Sequence, residues 1–155
     1  MRLTLYSDYC LRVLMYLGTK DDGFATIKEI AEHHDISRNH LMKVVYGLSR
    51  SHYITTIRGK NGGMRLARSP DSVNLGTLIR ETEHDCALVE CFGPDNQCAI
   101  TAACRLRGIL NDALKAFFAV LDDYTLADLL TGRDQMRALL GIDESPVHWG
   151  ETRHG

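Results

Sequence analysis

Long apolar runs are missing from this chain. No stretch reaches the roughly 18 apolar residues from which a membrane-spanning helix is read. The opening Met1-Arg2-Leu3-Thr4-Leu5-Tyr6-Ser7-Asp8 has neither the apolar stretch nor the cleavage site of a signal peptide. Together these absences predict a cytoplasmic protein. No Ser–His–Asp arrangement, P-loop or paired-carboxylate pattern occurs, so hydrolytic enzymes lose their support and the chain reads as a non-enzyme. The paired Cys-x-x-Cys spacing of zinc knuckles and ribbons is absent as well. So is any internal repeat. Between residues 36 and 70 there is no acidic residue at all.

That last absence directs attention to what is present. The same window holds seven basic residues: Arg38, Lys43, Arg50, Arg58, Lys60, Arg65 and Arg68. The net charge of −2 hides the asymmetry. Residues 1–70 carry eleven Lys/Arg against six Asp/Glu, and residues 71–155 carry seven against fourteen. A basic run without one carboxylate suits a phosphate backbone. The 155 residues, 45% of them hydrophobic, suffice for one compact domain or a small domain with a dimerising extension.

Periodicity predicts a first helix over 3–18, with Leu3, Tyr6, Cys10, Val13, Leu14 and Leu17 on one face and Gly18 as its stop. Thr26 with Glu29 three residues on forms a capping box for a helix from Ile27 to about His34. Ser37 caps a second helix, from about Arg38 to Ser51, which buries Leu41, Val44, Val45 and Leu48. Two short helices joined by a tight turn make a helix-turn-helix. Tyr53–Ile57 and Met64–Ala67 favour strands around a turn at Gly59-Lys60-Asn61-Gly62-Gly63, which is the wing of a winged helix. Asn74 or Leu75 opens a helix to about Glu83, and residues 84–100 lack any period. Thr101 is expected to cap a long helix with a broad stripe: Leu106, Ile109, Leu110, Ala113, Leu114, Phe117, Phe118 and Leu121. A winged helix does not need that stripe for itself, so it predicts dimerisation. Thr125 caps a short helix to Leu130, ended by Gly132.

The expected fold is mainly α with a small β-hairpin: a winged helix-turn-helix plus a long dimerisation helix. The boundaries are 1–75 for the winged helix-turn-helix and 76–100 for a helix and cysteine-bearing loop. Residues 101–141 form the dimerisation helix and a short C-terminal helix, and 142–155 a flexible tail.

Ser37, Arg38, Asn39 and His40 open the second helix of the motif, where recognition helices meet base edges. Arg bridges guanine O6 and N7, and Asn bridges adenine N6 and N7. Lys43, a turn further, suits a phosphate. In the wing, Arg58, Gly59, Lys60, Asn61, Gly62, Gly63 and Arg65 combine close backbone approach with cationic tips, as minor-groove insertion requires. The predicted partner is double-stranded operator DNA.

Five cysteines in a reducing compartment argue against a disulfide framework. Cys10, on an apolar helical face, reads as core. Cys91, Cys98 and Cys104, separated by six and five residues, lie in or beside a loop with Gly93-Pro94 and are poor core material. Spacing alone leaves zinc and an iron–sulfur cluster as competitors, with Cys86 a candidate fourth thiol. His33 and His34, adjacent on a helix, read as surface.

These residues resemble the family of winged-helix iron–sulfur transcription regulators. The matching segments are Met1-Arg2-Leu3-Thr4 with Tyr6-Ser7-Asp8-Tyr9, Ser37 to Val44, and Arg58 to Leu66. They continue with Cys98-x-Ile-Thr-x-Ala-Cys104-Arg-Leu and Leu121-Asp-x-Tyr-Thr-Leu-Ala-Asp-Leu129. The resemblance covers about 1–130, and the wing and the Tyr124–Asp128 segment look most like the nitric-oxide-sensing repressors of the family. It implies a homodimer with an iron–sulfur cluster in each subunit, [4Fe-4S] in preference to [2Fe-2S]. Cys91, Cys98 and Cys104 would be the ligands, with the partner subunit's Asp8 as the fourth. Arg12, one helical turn from Asp8, would orient it. The implied action is operator binding and repression, lost when nitric oxide attacks the iron. An iron- or cluster-supply regulator is the alternative reading. One branch of the family uses a His shortly after the third cysteine, and Arg107 occupies that region here. A zinc-stabilised DNA-binding protein and a cluster-carrying protein with a protein partner remain as readings from other classes.

Overall fold

The structure is a computed structural model that describes residues 2–20, 23–59 and 62–142. Its centre is helix α1 (Leu5–Thr19), which buries Cys10, Val13, Leu14, Tyr16 and Leu17 and is packed by elements from both halves of the chain. Thr4 caps it, accepting the Ser7 N–H on its hydroxyl at 3.2 Å. Helix α2 (Ile27–His34) begins on the full Thr26/Glu29 capping box and ends at Asp35 in the left-handed region, φ 51°. Helix α3 (Arg38–Arg50) begins at Ser37, whose hydroxyl accepts the His40 N–H at 3.3 Å. Caps of this kind contribute about 1 kcal/mol each. They explain why the starts of α2 and α3 were readable to the residue. The expected span 3–18 is corrected for α1, which begins after the Thr4 cap and runs through Gly18 to Thr19.

Strands β1 (Ile54–Ile57) and β2 (Gly63–Leu66) pair antiparallel, Ile54 opposite Leu66 and Ile57 opposite Gly63. Ala25 extends the hairpin by exchanging backbone hydrogen bonds with Met64, at 3.0 and 2.7 Å. This third contributor carries too few residues to show a period. It binds the wing to the start of α2. Gly63 is required there, since a Cβ would strike the Phe24 ring and the Ala25 carbonyl.

Helix α4 (Leu75–Thr82) is capped by the Asn74 side chain, which accepts the Thr77 N–H at 2.9 Å. The chain from 83 to 104 then contains two single 3-10 turns, Glu90–Phe92 and Thr101–Ala103. Helix α5 (Arg105–Asp122) starts later than expected, with Cys104 rather than Thr101 at its N-cap position. The reason is local: the Thr101 hydroxyl donates to the Cys98 carbonyl at 2.7 Å and is engaged by Asn96 at 3.0 Å. It is occupied in folding the loop. Helix α6 (Leu126–Leu129) has a Thr125/Asp128 capping box. A further helix, α7 (Arg133–Leu140), follows Gly132.

The C-terminal half is attached at its ends. Asp122 receives both arms of Arg80 at 2.6 and 2.7 Å, and the guanidinium lies 4.3 Å from the centre of the Phe118 ring. Arg133 and Arg137 both donate to the Thr19 carbonyl, at 3.1 and 2.8 Å. Cations at a helix C-terminus satisfy its orphan carbonyls and oppose its negative pole. Nearly the whole core precedes residue 83. Beyond it only Phe118, Leu126 and Arg137 are buried among the described residues. Leu106, Ile109 and Val120 of α5 are each more than half exposed. With Ala113 and Ala116 they recur at alternating steps of three and four, the spacing of a helix–helix seam. The expected tail from 143 onward lies outside the described residues.

Candidate nucleic-acid interface and cluster-binding segment

Burial of Leu41, Val44, Val45 and Leu48 fixes which face of α3 points outward. Arg38, Asn39, His40, Met42, Lys43, Tyr46 and Arg50 are all exposed. The expected readers differ in how free they are. The Ser37 hydroxyl serves the helix cap, Arg38 lies 3.6 Å from Glu32 of α2, and the His40 ring lies 6.1 Å from that of Tyr9. The Arg38–Glu32 pair is solvent-screened and weak, so it does not lock the arginine away. Met42 and Tyr46 were not anticipated, and Arg50 only as part of the basic run. The Arg50 guanidinium stands 5.8 Å from the Tyr46 ring centre. Together with Ile27, Thr56 and Arg58 these three line a groove of about 390 Å³ between α3 and the hairpin. The complement of the buried set 41, 44, 45 and 48 was the signal that could have found them.

In the wing, Arg58 and Arg65 are exposed, and Gly59 has φ 115°, a conformation that side chains rarely adopt. The Gly62 N–H donates to the Gly59 carbonyl at 2.9 Å, closing the turn, and a Cβ on Gly62 would strike the Ile57 and Gly59 carbonyls. Gly63 already belongs to β2. Lys60 and Asn61 lie outside the described residues. One cation of the basic run has a structural duty instead. Arg68 donates to the Ser51 and His52 carbonyls at 2.7 and 2.8 Å and covers the Tyr53 ring at 4.5 Å. It closes the end of α3.

The structure keeps the three cysteines on one segment but on different turns of it. Cys91 lies in the first 3-10 turn and is half-buried, Cys98 is exposed, and Cys104 is half-buried at the start of α5. Side chains knit the segment together. Glu90 Oε1 accepts the Gln97 N–H at 2.9 Å, Asn96 Oδ1 accepts the Cys98 N–H at 3.0 Å, and Arg107 Nε donates to the Cys91 carbonyl at 3.2 Å. A polar cleft of about 630 Å³ opens beside it, lined by Cys86, Phe92, Cys104, Arg107 and Asn111 among others. Among the described residues no three His, Cys, Asp or Glu side chains converge as a metal site. The donor set still suits an iron–sulfur centre: three free thiols, none in the core, one at the positive end of an 18-residue helix. Asp8 is partly exposed on α1, and Arg12 holds its carboxylate at 3.0 Å. The one-turn spacing did bring that pair together.

Two thiols behave differently. Cys10 is fully buried, and burial pushes its thiol up to about 12 against an opposing hydrogen bond from Tyr6. It is core, as its position predicted. Burial raises the Cys86 thiol too, helped by Glu83 and Asp85. His34 departs from the surface reading. It is half-buried beside Tyr16, its Nε2 is enclosed without a hydrogen-bond partner, and burial lowers its pKa.

A helix-turn-helix with a hairpin wing, an outward basic face and an appended long helix defines a winged-helix transcription regulator. The comparisons place it more narrowly. The family model described as "Rrf2: Iron-dependent Transcriptional regulator" matches residues 3–132, and the chain belongs to that family. It is 50% identical over 142 residues to the HTH-type transcriptional regulator NsrR of Bacillus licheniformis, covering 90% of this chain and 99% of that one. The NsrR of Geobacillus kaustophilus is 52% identical, with 90% and 97% covered. Among solved structures, the global cysteine regulator CymR of B. subtilis matches with TM-score 0.63 and 30% identity, covering 83% of this chain and 95% of that one. T. potens IscR matches with TM-score 0.68 at 23% identity, covering 88% and 91%, a likeness of fold. No helix among the described residues is long and apolar enough to cross a membrane.

Proposed function

We propose that this regulator is a homodimeric repressor that senses nitric oxide through an iron–sulfur cluster and releases operator DNA when the cluster reacts. The observation that carries the reading is the set of three free cysteines, outside the core, on the segment that joins the DNA-reading half to α5. The similarity to NsrR proteins over 90% of the chain supports it. Cys91, Cys98 and Cys104 are the proposed thiolate ligands, and the partner subunit's Asp8 the fourth. A [4Fe-4S] centre is preferred to [2Fe-2S]. Bound there, the cluster supplies iron that reacts with nitric oxide, most readily where a carboxylate replaces a thiolate.

The chain's own residues do the rest. The Arg12 guanidinium orients Asp8. Asn96, Thr101 and Glu90 shape the loop that presents the thiols. The exposed seam of Leu106, Ile109, Ala113, Ala116 and Val120 pairs with its copy, which sets the spacing of the two α3 helices. Arg38, Asn39 and His40 read bases, Lys43 meets phosphate, and Arg58 to Arg65 form the wing in the minor groove. Ser37 fixes the first turn of α3. The proposed working units are 1–75, 76–100 and 101–141.

The family description, iron-dependent, favours a second reading in which iron or cluster supply is the signal. Anaerobic isolation followed by iron, sulfide and DNA-binding assays tests the shared premise. The expected result is a coloured protein that binds operator DNA and loses affinity when the cluster is removed. A colourless protein with stoichiometric zinc would overturn both readings.

A further inference from the structure

One carboxylate joins the cysteine segment to the recognition helix within a single chain. Glu83 stands where α4 ends and the cysteine segment begins, and its N–H still donates to the Ile79 carbonyl at 2.8 Å. Its Oε1 accepts the Thr4 N–H at 2.8 Å and the Thr4 hydroxyl at 3.1 Å, across 79 residues of sequence. Thr4 is the N-cap of α1, and its hydroxyl lies 3.1 Å from that of the fully buried Ser7. In a capping box the residue three places after the cap carries a Glu or Gln that reaches back to the cap N–H. Here that residue is Ser7, too short to reach back, and Glu83 supplies the missing half from another element. Burial raises the Glu83 carboxyl, but the hydrogen bonds from Ser7 and Thr4 prevail and hold it below the usual carboxylate range.

The other side of the same turn touches α3. A Cβ on Gly47 would overlap the Tyr6 hydroxyl and crowd its ring carbon. Glycine inside a helix is destabilising relative to alanine, so its presence in the recognition helix needs a reason. The reason is room for Tyr6, whose hydroxyl is further fixed by a hydrogen bond with Cys10. The first turn of α1 is therefore gripped by the root of the cysteine segment and pressed against the helix that reads DNA.

We infer that Glu83 is a positioning residue that sets the recognition helix, by holding Thr4 and so Tyr6 against Gly47, and that the cysteine segment acts on DNA binding through it. The inference rests on the cluster-controlled reading above and adds an intrachain route to the contact at the partner subunit's Asp8. Glu83 itself is no ligand in this account.

Two measurements on the full-length protein test it. Hydrogen exchange compares Glu83→Ala with the unmutated chain. The expected result is exchange roughly tenfold faster at residues 4–8 and 44–50, with β1 and β2 unchanged. A change confined to residues 80–90 would overturn the positioning role. DNA affinity is then measured with and without the cluster. Glu83→Ala should load iron and sulfide normally while the ratio of the two affinities falls at least about fivefold. An unchanged ratio overturns the coupling. If the unmutated protein binds DNA equally well in both states, cluster control itself fails. Exchange then still decides whether Glu83 positions α3. As a check that does not touch Glu83, Gly47→Ala should weaken DNA binding, and adding Tyr6→Phe should restore most of it. Absence of that rescue would remove the Tyr6–Gly47 step.

Discussion

The two halves of this molecule satisfy themselves differently. Residues 2–82 supply nearly all of the core around α1, cap their helices with their own side chains, and expose a basic face. Residues 83–142 bury little. They carry three free cysteines on an open segment and turn an apolar seam to solvent. The second half lends the first Leu126 for its core and Arg133 and Arg137 for the end of α1. It also carries the three cysteines and the seam to which the proposed reading assigns a cluster and a second copy. In the proposed reading sensing falls to the half that buries least, because its state can change without unfolding the reader.

The comparison can be broken by moving damage between the halves. Cys91→Ala, Cys98→Ala and Cys104→Ala are each expected to abolish iron and sulfide loading while thermal unfolding of the reader changes little. Full regulated repression by any one of them contradicts the ligand set. Next in size, Ile109→Asp should convert the dimer to a folded monomer in sedimentation analysis. A dimer that survives this charge would assign the seam another role. Leu48→Ala, by contrast, strikes a fully packed core and should cost about 2–5 kcal/mol in denaturant unfolding. The same change at the half-exposed Leu106 should cost about 0.5 kcal/mol or less in the monomer. Smaller still, Arg65→Ala should weaken binding evenly across DNA sequences and reduce the slope of log affinity against log salt by about 1. Arg68→Ala should act mainly on stability, since that cation closes the end of α3 through the Ser51 and His52 carbonyls. Finally, alkylation of cluster-free protein at pH 8 should label the exposed Cys98 first and Cys10 last, because burial holds the Cys10 thiol neutral up to about 12.

Legibility in the sequence followed the same division. In the first half, local rules agree with tertiary structure. Thr26/Glu29 and Ser37 mark helix starts by hydrogen bonds made within four residues, and the 41, 44, 45, 48 spacing marks the buried face. In the second half the deciding contacts are distant. Thr101 carries a good cap signature, yet its hydroxyl goes to Cys98 and Asn96. Helix α7 is held by Arg133 and Arg137 on the Thr19 carbonyl, more than 110 residues away, and nothing in its own period announces that. The ion pair of Asp8 and Arg12 was readable from one-turn spacing. The grip of Glu83 on Thr4 was not, since no local pattern links those positions. The cysteines were legible as a set because chemistry singled them out. In the proposed reading their assembly depends on groups that no single chain contributes.

The measurement that bears most directly on the account is an anaerobic titration of the isolated protein with nitric oxide, following the visible spectrum and binding to promoter DNA in the same sample. The account predicts a brown, iron- and sulfide-containing protein that binds DNA and loses chromophore and affinity together. Colour that survives nitric oxide, or DNA affinity that ignores the loss of colour, would contradict it and move iron supply into the place of the signal.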